Sequence, residues 1–262
     1  MEPELITREP ENKVHDTPLL FVHGAWHDAW CWDEHFLPYF AQHGYAAHAL
    51  DLRGHGKRKD QEKLRWVSMS NYVSDVAQVA AKFERPPVLI GHSMGGLVVQ
   101  KYLETHQAPV GILLVPVPLS GVLRTTLNIA RRHPLEFMKA NLTLKLYHIV
   151  GSPRLAQEAF FSATMPEQQV NEYFGHVQNE SYRAFLDMMM FSLPHPKRVK
   201  TPMLVLGAEK DAIFNRKEVE ATARAYATQA QIFPDMAHNM MLESGWEAVA
   251  EHILTCLSEK GI

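Results

Sequence analysis

The 262-residue sequence predicts an α/β fold: a doubly wound, mostly parallel sheet with an inserted helical cap. Two observations predict the sheet. Short apolar runs without polar alternation recur along the chain, as strands covered on both faces require, and stretches of helical spacing separate them. A third observation predicts the insertion. Residues 119–196 carry no clean strand signal and form a segment too long for a simple crossover loop.

The elements follow in order. Residues 5–8 form the one candidate strand before residues 18–22, which run into His23-Gly24. Residues 46–50 lead to Asp51-Leu52-Arg53-Gly54, residues 87–90 to Gly91-His92-Ser93, residues 110–115 to Pro116, and residues 202–206 to Gly207. Helical spacing fills residues 32–43, 71–83 and 95–105, and returns at 216–226 and 246–257. This alternation implies right-handed crossovers in a doubly wound sheet. Within the insertion, residues 135–146 and 182–191 read as apolar helices, and prolines at 134, 153, 166, 194 and 196 punctuate the stretch. The expected division is a core of residues 1–118 and 197–262 with a cap of residues 119–196.

Composition narrows the function classes. A formal net charge of −3 leaves no basic footprint for nucleic acid and no polybasic membrane patch. The charged start, with Pro3 and Pro10, lacks the apolar run of a signal peptide, and no segment has the length of an integral membrane span. Only Cys31 and Cys256 are present, far apart, which argues against a disulfide scaffold. A cytoplasmic protein is expected.

Gly91-His92-Ser93-Met94-Gly95 fits Gly-x-Ser-x-Gly between a buried strand and a helix, the context in which a serine occupies a sharp turn above the sheet. A serine hydroxyl needs a base and an orienting carboxylate to become a nucleophile. Asp211 follows the strand at 202–206, where ligand-facing loops lie, and His238 precedes the last helix, giving the order Ser, Asp, His. Glu209 and Asp235 read as solvated loop charges, and the side chain of His92 is expected to point away from that of Ser93. Pro116-Val117-Pro118 offers no substitute acid. The developing oxyanion needs two preorganised N–H donors, expected from Met94 and from Ala25 in the loop after residues 18–22. His23 and His27 have the i, i+4 spacing of metal ligands, but Gly24 argues against a helix there and no third ligand has the spacing, so neither metal nor cofactor is expected. Cys31 among Trp26, Trp30 and Trp32 reads as packing.

The set His23-Gly24, Asp51-x-Arg53-Gly54-His55-Gly56, Gly91-His92-Ser93-Met94-Gly95-Gly96, Gly207-x-x-x-Asp211 and Ala237-His238 resembles the α/β-hydrolase superfamily over the whole chain apart from the cap. The resemblance implies acyl-enzyme chemistry on a small-molecule ester, with Ser93, Asp211 and His238 in the catalytic positions. The stretch from His23 to Trp32 is also similar to plant methylesterases and hydroxynitrile lyases. Those lyases carry a threonine and a lysine where Gly24 and Asn239 stand here, which favours ester hydrolysis. The Asp-x-Arg-Gly-His-Gly loop is more similar to bacterial esterases and monoacyl-lipid hydrolases. Cofactor-free perhydrolases, C–C bond hydrolases and ligand receptors on the same fold share the serine motif. Substrate choice falls to the cap and the Trp-rich loop, with Trp26, Met138 and Met188 as candidate substrate-binding residues. Met188, Met189 and Met190 are consecutive, so at least one of them belongs to the core.

Overall fold

The computed structural model describes residues 4–56 and 61–262; Met1 to Pro3 of the charged start lie outside the described residues. Seven strands form one sheet in the order β1-β3-β2-β4-β5-β6-β7. They are β1 (Glu4–Arg8), β2 (Leu19–Val22), β3 (Ala47–Asp51), β4 (Val88–His92), β5 (Gly111–Leu114), β6 (Met203–Ala208) and β7 (Ala230–Phe233). β1 runs antiparallel to β3, and the other neighbours are parallel. Three strands start one residue after the proline that opens the apolar run, because proline has no N–H for the ladder. Its carbonyl still serves: Pro18 O accepts Val88 N–H at 2.9 Å and Pro202 O accepts Gly111 N–H at 3.0 Å.

Helices cover both faces. α1 (Trp30–Asp33), α2 (Phe36–Gln42), α3 (Gln61–Leu64), α4 (Met69–Ala80) and α5 (Met94–Leu103) precede β5. One face buries Leu19, Phe21, Ile90 and Ile112 against Trp32, Phe36 and Phe40. The other buries Leu20, Val22, Leu89 and Leu113 against Val76 of α4 and Val98 of α5. Neighbouring residues of one strand thus enter opposite cores, and both are apolar, which is why the strand runs show no alternation. The helix expected at 32–43 is broken in two. Pro38 fits the first turn of α2, but in a continuous helix its ring would strike the carbonyl of Glu34. α4 starts at Met69, two residues earlier than its apolar spacing predicts, because Ser68 and Asn71 form a reciprocal cap.

Between β5 and β6 the chain is helical: α6 (Leu123–Arg132), α7 (Pro134–Thr143), α8 (Pro153–Phe160), α9 (Glu167–Phe174) and α10 (Tyr182–Leu186). The helix expected at 182–191 is α-helical only to Leu186 and ends as a π-turn, Asp187–Phe191. Asp187 explains the change of winding: its buried carboxylate accepts Met69 N–H at 2.9 Å, and its carbonyl accepts Ser192 N–H at 2.8 Å. α11 (Arg216–Ala225) and α12 (Trp246–Glu259) complete the fold. No helix among the described residues is long and apolar enough to cross a membrane, and both cysteines are free.

The ladder aligns Val22 with Gly91, Gly91 with Leu113, Leu114 with Leu206, and Ala208 with Phe233. The loops leaving β2, β4, β6 and β7 therefore emerge at one edge, the carboxyl edge where ligands bind in open α/β sheets.

Candidate active site

Ser93 is the first residue after β4, with φ 52° and ψ −115°, a conformation that costs a non-glycine residue about 1–3 kcal/mol. The surrounding structure holds it there. Ser93 N–H donates to Leu114 O at 3.0 Å, and Ser93 O accepts Val117 N–H at 3.2 Å. Close approach explains the flanking glycines. A Cβ on Gly91 would lie 2.5 Å from Gly95 O, and one on Gly95 would run into the carbonyl oxygens of Val22 and His23.

His238 sits on the loop after β7 and is almost fully buried. With the Asp211 carboxylate as acceptor, His238 Nδ1–H donates to Oδ2 at 2.9 Å. The other oxygen of Asp211 accepts Ile213 N–H at 2.7 Å and Phe214 N–H at 3.1 Å, so the carboxylate is fixed before it meets the ring. Phe160 of the insertion and Phe214 pack on the imidazole, with ring centres 6.5 and 5.5 Å away. Glu209 and Asp235 lie elsewhere, at the surface against Lys210.

His92 has a task the sequence does not reveal. Its Nε2–H donates to the His238 carbonyl at 3.0 Å, tying the neighbour of Ser93 to the His238 loop. Burial first, and the adjacent His238 and His27 second, push its pKa well below the usual histidine value, so it stays neutral. Asn239 makes a second tie: its Nδ2–H donates to His27 Nε2 at 3.0 Å, and His27 Nδ1–H donates to Ala25 O at 2.8 Å. Burial lowers the His27 pKa to about 4, which keeps the accepting lone pair on Nε2. His23 donates to Gly24 O and accepts Leu52 N–H. The two histidines with metal-like spacing thus have all four ring nitrogens committed to the fold.

Ala25 and Met94, the expected oxyanion donors, stand at the starts of the loop after β2 and of α5. Neither N–H has an acceptor among the described residues; Met94 is the first residue of its helix, where no intrahelical partner exists. A cavity of about 440 Å³ opens beside Asp211 and is lined by Trp26, Arg124, Arg132, Ile149 and Ile213, among others. A smaller apolar cavity of about 40 Å³ shares Trp26, Ile129 and Ile149 with it and adds Phe137, Ala140 and Phe185. Trp26 therefore stands between the two. The insertion holds it by Gln178 N–H to Trp26 O at 3.0 Å and by the indole N–H to Leu146 O at 3.3 Å. Met138 and Met188 line neither cavity. Met138 is on the outer face of α7, 51% exposed, because the neighbouring Phe137 takes the inward position. Met188 is buried in the core behind α4 and α5.

A model of the alpha/beta hydrolase family matches residues 19–252. This chain belongs to that family. The hydrolase is 36% identical over 247 residues, 85% of its own length and 86% of the other's, to a non-heme haloperoxidase of Rhodococcus erythropolis. It is 34% identical over 98 residues to a pyrethroid hydrolase of Sphingobium wenxiniae, a match that spans 37% of this chain and 34% of that protein. The fold is shared with a thermophilic esterase from Thermogutta terrifontis, with a TM-score of 0.73 at 21% identity, covering 98% of this chain and 94% of that one.

Proposed function

We propose that this hydrolase cleaves carboxylic esters through an acyl-enzyme on Ser93. The observation that carries the reading is the buried His238–Asp211 pair, 2.9 Å apart and tied through His92 to the strained turn that bears Ser93. With Nδ1–H held by Asp211, the other ring nitrogen, Nε2, is the base. It takes the Ser93 proton as Oγ attacks the ester carbonyl, and Asp211 stabilises the imidazolium that forms. The N–H groups of Ala25 and Met94 receive the oxyanion. His238 then protonates the departing alcohol and activates the water that releases the acid.

We assign residues 119–196 as the cap that shapes the substrate site. Its side chains Ile129, Phe137 and Phe185, with Trp26, offer a small apolar pocket, and the wider cavity carries Arg132 and Arg124. The haloperoxidase relative supports a second reading, in which hydrogen peroxide replaces water as acyl acceptor and a peracid leaves. Cyanohydrin cleavage lacks support: Asn239 brings no charge beside His238, and its amide is committed to His27.

The test sets these chemistries side by side. Short-chain p-nitrophenyl esters are expected to turn over in water, with no cyanide released from mandelonitrile above the buffer rate. Cyanide release without ester turnover contradicts the proposal. Peracid formation outpacing hydrolysis when peroxide is added favours the second reading.

A further inference from the structure

Nine large apolar side chains face solvent among the described residues, and seven of them belong to the helical insertion. Five lie on one helical hairpin: Leu123 and Leu127 on α6, and Leu135, Met138 and Leu142 on α7. The spacing i, i+3, i+7 puts the α7 residues on one face of that helix, and i, i+4 does the same on α6. Leu135 and Leu142 are 60% and 77% exposed. Met190 and Phe191 add to them from the π-turn, which is bound to the start of α6 through Val122 N–H to Met188 O at 3.2 Å. Apolar surface gathered this way marks an interaction site.

The charge on the same hairpin identifies the partner. Arg124 is neutralised by Glu218 at 2.6 Å. Arg131, Arg132, Lys139 and Lys145 are exposed and have no ion-pair partner among the described residues, and Glu136 is the one acidic residue between them. Four cations against one anion leave +3 on a hairpin whose whole chain carries −3. A two-fold contact with a second copy would set these cations against themselves. An interface rich in anionic headgroups accepts both the leucines and the cations.

We propose that the α6–α7 hairpin docks this hydrolase on an anionic lipid surface. The leucines enter the headgroup boundary while Arg131, Lys139 and Lys145 meet the phosphates. The proposal does not depend on the chemistry of Ser93.

Vesicle flotation tests it. The wild type is expected to float with phosphatidylcholine vesicles containing about one-third phosphatidylglycerol, to float poorly with phosphatidylcholine alone, and to be released by salt. Arg131→Gln with Lys139→Gln should lower partitioning roughly thirtyfold. Leu135→Asp with Leu142→Asp should lower it on the order of a hundredfold. Both variants should keep the unfolding midpoint and the turnover of a water-soluble ester, because these side chains face solvent. Equal weak binding to both vesicle types would overturn the proposal, as would undiminished binding of the Leu135→Asp, Leu142→Asp variant. So would a wild-type dimer in sedimentation velocity that the same variant dissociates, since the face would then be a self-association surface.

Discussion

Asp211 divides its carboxylate between two tasks: Oδ2 receives His238 and Oδ1 is held by the Ile213 and Phe214 N–H groups. Asp211→Asn keeps an oxygen for the backbone donors but turns an amide donor toward His238 Nδ1. That selects the tautomer with the proton on Nε2, which cannot act as a base. The expected loss is about 10⁴ in kcat with the fold intact; circular dichroism and ester kinetics check it, and near-normal turnover would show that another carboxylate orients the base. The contact between Asp211 and His238 is legible in the sequence because each follows a strand, and parallel strands deliver their ends to one edge. The ties through His27, Asn239 and His92 are not legible. His27 and Asn239 are 212 residues apart, and nothing near either position signals that they meet.

At the scale of elements, one of the ties between the insertion and the core is a fully buried carboxylate. Glu180, just before α10, accepts His55 Nε2–H at 3.1 Å and Tyr72 O–H at 2.8 Å, and a longer contact from Trp26 N–H at 3.4 Å. Burial disfavours both charges, but the mutual attraction and hydrogen bond outweigh it: the His55 pKa is raised and that of Glu180 lowered. Asp28, Asp51, Tyr72 and the neutral His23 also face the pair. The stability that His55 contributes is therefore full below its ordinary value near 6.5 and lost as pH rises through the raised one. The contribution of Glu180 is lost as pH falls through a value below 4.5. Glu180→Gln should cost about 3–5 kcal/mol near neutral pH and remove the alkaline decline. Urea unfolding across pH checks this; parallel wild-type and variant profiles would contradict it. The middle of the sheet is readable from sequence because β2 to β5 are uniformly buried, whereas the edge strands β1 and β7 are partly exposed and give weaker apolar runs. α6 gives a weaker signal because its leucines face outward, the reverse of the pattern that marks a core helix.

For the whole molecule, net charge is a poor guide to partners. A total of −3 argues against a polybasic patch, yet the fold collects on one hairpin cations that have no ion-pair partner among the described residues, and places acids such as Glu180, Asp187 and Asp211 inside. The proposed catalysis rests on one serine, Ser93, at the turn between β4 and α5. Its most direct test compares Ser93→Ala with the wild type on a p-nitrophenyl ester, together with mass-spectrometric location of a serine-directed fluorophosphonate. The expected result is a fall in kcat of about 10⁴ or more with KM little changed, and a label on Ser93 alone. Undiminished turnover by the alanine variant, or a label on another residue, would contradict it.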